Sequence, residues 1–165
     1  PIIITLYKTG VDMLRENSKS LWNVGRMLCI DEGRVTSKSK RNKFKTRMPK
    51  PIRMGYTVDK LADKAHSRDG YFVLNHLVHV GKHTYINPKP HGKMFDVVSQ
   101  LLGDEFKDMG KTVVMDSAFP TVALLKVARE DWGTRIVATA SENNLRLAFW
   151  KRKEEMTKRE GHIQL

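Results

Sequence analysis

The order of sequence patterns predicts an α/β domain, a mixed sheet covered by helices, and three observations carry that expectation. Three strand-like segments joined as hairpins come first, and helices then alternate with strands. Two short apolar runs, residues 27–30 and 112–115, have the continuous character of covered strands, and each is closed by an aspartate, Asp31 and Asp116. At 165 residues and 40% hydrophobic content the chain suits a single domain, residues 1–165, with a sizeable core.

The elements follow in order. Ile3, Leu6, Tyr7, Val11 and Leu14 recur at helical spacing, which predicts a leading helix within residues 1–20 that Asn17 and Ser18 end. Asn23 and Gly25 turn the chain into the strand that stops at Asp31. Pro49 and Pro51 enforce extended backbone, and residues 52–58 alternate as a second strand with Ile52, Met54, Tyr56 and Val58 on one face. Residues 59–69 are polar and charged, and Asp69-Gly70 is a turn signal. A third strand over 71–80 follows, with Phe72, Leu74, Val78 and Val80 on one face and Gly81 closing it.

Pro88, Pro90 and Gly92 make residues 82–93 a loop. The next helix carries Met94, Val98, Leu101, Leu102, Phe106 and Met109, with Gly110 placed as its C-cap. After the run closed by Asp116, Ser117 is positioned to cap a helix whose first turn holds Pro120 and whose body, residues 121–128, is apolar almost all round. Trp132 and Gly133 end it, residues 135–139 read as a fifth strand, and residues 145–160 as a charge-rich helix carrying Leu145, Phe149 and Met156. This succession is that of a ribonuclease H-like, five-stranded mixed sheet with flanking helices, in truncated form. In that arrangement the first and fourth strands are central neighbours, so Asp31 and Asp116 would face each other.

The charge is concentrated. Of a net +12, the stretch 33–53 supplies nine through Arg34, Lys38, Lys40, Arg41, Lys43, Lys45, Arg47, Lys50 and Arg53, with no acid among them. The remaining 21 basic and 18 acidic residues leave only three. A single-sign hairpin favours a polyanion, nucleic acid ahead of a membrane face, over a merely solvated loop. About six phosphate contacts would give a log-log salt slope of about −5. The lone Cys29 excludes a disulfide within the chain and suits a reducing, intracellular compartment. No run of about 18 apolar residues and no signal peptide are present, so neither a membrane partner nor secretion is expected. The first residue is Pro1, which suggests a piece cut from a longer protein.

A lone Asp at such a position reads as a cap or loop ligand; two at the same end of equivalent runs read differently. Paired carboxylates repel unless a divalent cation, Mg2+ or Mn2+, is held between them. Two such ions about 4 Å apart activate a water or 3'-hydroxyl and stabilise the leaving oxygen in phosphodiester cleavage.

The segments CIDEGR from Cys29, RMPKPIRMGY from Arg47, VVMDSAFPT from Val113 and ATASENN from Ala138 resemble, in order, the motif series of piggyBac-like transposases. The similarity runs from Ile3 to about Asn144. It implies a DDE transposase catalytic core in which Asp31 and Asp116 match the first two metal-binding, catalytic carboxylates. It also implies Mg2+ or Mn2+ as cofactor, DNA as partner, room for a homodimer, a nuclear location and no small-molecule substrate.

Departures from that series are specific. Ser117, Ala118 and Phe119 stand where the family has Asn and an aromatic pair, and Ala138, Thr139, Ala140 and Ser141 replace a Gly-Thr-x-Arg motif. The family's third carboxylate lies beyond Leu165; a compact integrase-like layout would instead use Glu154 or Glu155. Two functions are therefore expected of such a chain: a transposase core segment that cuts and joins DNA when complete, or a domesticated, non-catalytic DNA-binding derivative. His76, His79, His83 and His91 lack a Cys partner and do not share a strand face, which favours ordinary surface histidines. Gly110, Lys111 and Thr112 imitate the end of a phosphate loop, but they precede a strand rather than follow one. Tyr56 is expected to pack in the sheet, while Phe44 could stack on a base or pack.

Overall fold

The computed structural model describes residues 2–38, 46–47, 54–64, 70–79 and 91–139. Helix α1 (Ile2–Leu21) leads into strand β1 (Met27–Thr36). The two-residue β2 (Thr46–Arg47), β3 (Met54–Lys64) and β4 (Tyr71–Val78) follow, and then α2 (Lys93–Leu102), β5 (Thr112–Met115), α3 (Val122–Glu130) and β6 (Arg135–Ala138). The five expected strands are present, and β2 joins the sheet inside the basic stretch. β1 lies between β3 and β5, antiparallel to the first and parallel to the second; β6 extends the parallel side, and β2 and β4 both pair with β3.

Alternation along the strands sorts the sheet into two faces. Leu28 and Ile30 of β1, Leu61 of β3, and Val113 and Met115 of β5 point into one core with Val97, Val98, Leu101 and Leu102 of α2 and Leu124 and Ala128 of α3. The opposite face carries no helix among the described residues. There Val137, Val114, Cys29, Ala62 and Val73 form an apolar row across β6, β5, β1, β3 and β4. Val137 is 55% exposed and Val73 42%.

Several boundaries differ from expectation, each for a physical reason. α1 continues past Asn17 to Leu21, and Leu14, expected on its apolar face, is 57% exposed. β3 runs on to Lys64 through a segment expected to be a polar connection. Two of its carboxylates are buried because distant partners satisfy them: Asp59 meets His79 Nε2 at 2.6 Å, and Asp63 accepts from the indole of Trp22 and the backbone N–H of Gly25. α2 stops at Gly103, whose positive φ of 58° suits glycine and whose N–H donates to Ser99 O, well before Gly110. Phe106 is still buried, from a turn rather than a helix. The cap of α3 is Thr121, whose hydroxyl accepts from Leu124 N at 3.2 Å, not Ser117. That helix is amphipathic, with Leu124 and Ala128 buried and Val122 51% exposed. The expected helix over 145–160 lies outside the described residues.

Candidate nucleic-acid and metal site

The register of the two central strands builds the site. β1 and β5 run parallel with Leu28 beside Val113, Cys29 beside Val114 and Ile30 beside Met115. The next residue along each segment is an aspartate, so Asp31 and Asp116 come side by side where β5 ends; β1 does not stop at Asp31 as expected but runs on to Thr36, because its far half still pairs with β3. The apolar residues below them fix this placement. Leu28, Ile30, Val113 and Met115 are all at most 4% exposed, and slipping either strand by one residue would bring its aspartate to the core face.

Both carboxylates are exposed, so water eases their proximity. Each turns Oδ1 to the next backbone N–H, Glu32 N at 2.8 Å for Asp31 and Ser117 N at 2.5 Å for Asp116. Ser117 therefore serves as a donor to the acid rather than as a helix cap. Oδ2 is the oxygen each aspartate can offer a hard cation. Among the described residues no group of three or more His, Cys, Asp or Glu side chains gathers as a metal site. Two carboxylates with hard oxygen donors fit an ion such as Mg2+, which keeps several waters and takes further oxygens from a phosphate.

The same register extends the polar row. Asp31 is paired with Lys60 of β3, and Lys60 with His76 of β4, so Asp116, Asp31, Lys60 and His76 lie in one line on the helix-free face. This line runs beside the apolar row of Cys29. Burial first, and the Asp31 charge second, push the Cys29 thiol up. Burial first, and the Lys60 charge second, hold His76 below its ordinary value. Lys60 was not legible as a site residue, because its strand carries Asp59 and Asp63 on the core face and so lacks a clean alternation.

Of the basic residues expected to hold DNA, Arg34, Lys38 and Arg47 are described. Arg34 lies on the face opposite Asp31, half-buried, with Nη1 donating to Thr57 Oγ1 at 3.3 Å; it braces β1 against β3. Lys38 and Arg47 are exposed at the base of the hairpin, which Ser37 N closes on Met54 O at 3.2 Å. Lys40, Arg41, Lys43, Lys45, Lys50 and Arg53 lie outside the described residues, as do Phe44, His83, Glu154 and Glu155. His79 is tied to Asp59, away from His76, and Lys111 is buried with Nζ donating to the carbonyls of Val24 and Gly25. That bracing accounts for the apparent phosphate-loop lysine.

A sequence model of the transposase IS4 family matches residues 6–162. The chain belongs to that family. A cryo-EM structure of a piggyBac transposase synaptic complex with hairpin DNA has a similar fold, with a TM-score of 0.70 at 20% identity. The match covers 86% of this chain and 28% of that one, so this member of the transposase family spans little more than a quarter of the neighbour's length. No curated protein matches the chain.

Proposed function

We propose that the chain is the catalytic-core segment of a piggyBac-like DNA transposase that, when complete, cleaves DNA and transfers strands with a divalent metal. The observation that carries this is the parallel β1–β5 register, which brings Asp31 and Asp116 side by side just past the end of the parallel pairing. Mg2+ or Mn2+ bound there would supply Lewis-acid stabilisation of the phosphodiester oxygens. Asp31 and Asp116 would hold it, each oriented through its own Oδ1 by the following backbone N–H. The basic stretch 33–53 would grip the DNA backbone, as its uniform charge favours. That a similar fold was solved as a DNA complex supports DNA as the partner; a homodimer and a nuclear location belong to the same proposal.

The test is metal-dependent nicking of transposon-end DNA by the protein extended beyond Leu165, compared with Asp31→Asn and Asp116→Asn. Activity in the wild type and its loss in both variants is the expected result. If the extended wild type is as inert as the variants, the catalytic reading is lost. The second reading, a DNA-binding derivative without catalysis, draws on Ser117, Ala118 and Phe119 following Asp116 and on the altered motif at Ala138. It predicts DNA affinity with no nicking.

A further inference from the structure

The row that holds the acid pair also holds a cation that neither the motif series nor the basic hairpin accounts for. Lys60 stands opposite Asp31 in the antiparallel β1–β3 pair, so the two side chains share a face. Its side chain does not extend freely. It lies along β1 with Nζ above Gly33, only 2.8 Å from where a Cβ on that glycine would be, and with Cε at 2.9 Å. Gly33 is two residues beyond Asp31 on the same face, and any side chain there would drive the ammonium away. A glycine in the interior of a long strand costs conformational entropy and contributes no packing, so the close approach it permits is its evident use.

A phosphodiester approaching Asp31 and Asp116 meets two exposed negative charges at the centre of the sheet. A cation counter to those charges, fixed beside them, offsets that repulsion and gives the phosphate a second point of attachment. Lys60 has the needed placement: on the acid pair's face, next to Asp31, half-buried and aligned by the strand beneath it. Lys38 and Arg47, at the hairpin base, lie further along the sheet, paired around Gly55 and Met54. Arg34 faces the other way.

We propose that Lys60 is a phosphate-binding residue of the acid-pair site, its ammonium cradled over Gly33 to hold a non-bridging oxygen of the DNA strand at Asp31 and Asp116. This rests on the reading of the chain as a DNA-handling transposase segment. Lys60 binds and positions the strand; it moves no proton and forms no bond. Its cross-strand neighbour on the same row is His76, which burial first and the Lys60 charge second hold below its ordinary value.

The experiment is fluorescence anisotropy of the chain with a labelled mixed-sequence DNA duplex in EDTA, across a salt series, with thermal melts run in parallel. Lys60→Ala is expected to weaken binding about five- to tenfold and to make the log-log salt slope shallower by about 1. Lys60→Met, which keeps the apolar stem, gives the same loss with an unchanged melting curve. Lys60→Arg restores the slope. Gly33→Ala, which removes no charge, gives an intermediate loss by displacing the ammonium. Lys126→Ala, on the exposed side of α3, leaves the slope as it is. A wild-type slope in Lys60→Met, or an equal loss in Lys126→Ala, overturns the assignment while leaving DNA binding intact. If the wild-type chain binds no duplex, the DNA-handling reading falls and this assignment with it.

Discussion

Asp63, buried on the helix-covered face of β3, accepts the indole N–H of Trp22 at 2.9 Å. The same oxygen accepts the backbone N–H of Gly25 at 2.6 Å. Trp22 in turn lies flat on Phe72 of β4, ring centroids 4.5 Å apart and planes 5° from parallel. One carboxylate thus ties the exit of α1 to the sheet just ahead of β1. Asp63→Ala strands two half-buried donors and is expected to cost roughly 1–3 kcal/mol, read from urea unfolding. Trp22→Phe keeps most of the ring contact and loses one bond, for about 1 kcal/mol. Equal losses in the two variants would mean the stack, not the carboxylate, is the anchor.

Gly55 sits where β1, β2 and β3 meet, opposite Thr36 and Thr46. A Cβ there would strike the backbone carbonyl of Val35, which cannot swing aside as a side chain can. Gly55→Ala is expected to cost about 2–4 kcal/mol through forced backbone shifts. It is also expected to weaken DNA binding at temperatures where the sheet is still folded, because it opens the base of the basic hairpin. Unchanged affinity in a folded Gly55→Ala protein would separate the hairpin's geometry from its function.

Acidification should weaken the fold through His76. Its folded-state value lies below the ordinary one, so the unfolded chain binds a proton that the folded chain resists. The contribution is whole above about pH 6.5 and is lost as pH falls through the folded-state value. Urea midpoints near neutral pH and near pH 5 are expected to fall further in the wild type than in His76→Asn. An equal fall would assign the acid sensitivity to other groups.

Gly103 closes α2 with φ 58° while the Arg15 guanidinium, ion-paired with Glu105, occupies the space a Cβ would fill. Gly103→Ala is therefore strained in its backbone and also disturbs the contact that draws α1 to the turn after α2. A loss of about 1–3 kcal/mol is expected. Combining it with Glu105→Gln should cost less than the sum of the two, since they disturb one contact. Strict additivity would show that only the backbone conformation matters.

Sequence patterns reveal parts of this molecule where local chemistry and tertiary need coincide. The runs at 27–30 and 112–115 are continuous because the sheet is central there, and the aspartates that end them are visible for the same reason. The second half of β3 is obscured because Asp59 and Asp63 occupy core positions, made tolerable by His79, Trp22 and Gly25, none of which is a near neighbour in sequence. The end of α2 is hidden by apolar residues that continue past Gly103 into a buried turn at Phe106. Lys60 requires the register itself: only the pairing of β3 with β1 reveals that a lysine in a charge-rich segment lies beside Asp31 and over Gly33.

The parallel pairing of β1 with β5 also has a kinetic meaning. Its two strands are separated in sequence by three other strands and a helix, so the acid pair cannot form in any local fragment. Long-range parallel pairing is slow because loop closure must precede its reward. The β1–β3–β4 meander, with its shorter closures, is expected to form first and to carry Lys60 into place before Asp116 arrives. During synthesis the chain would hold the segment proposed to grip DNA in a partly folded sheet well before the two aspartates meet, so the proposed binding surface would precede the proposed metal site.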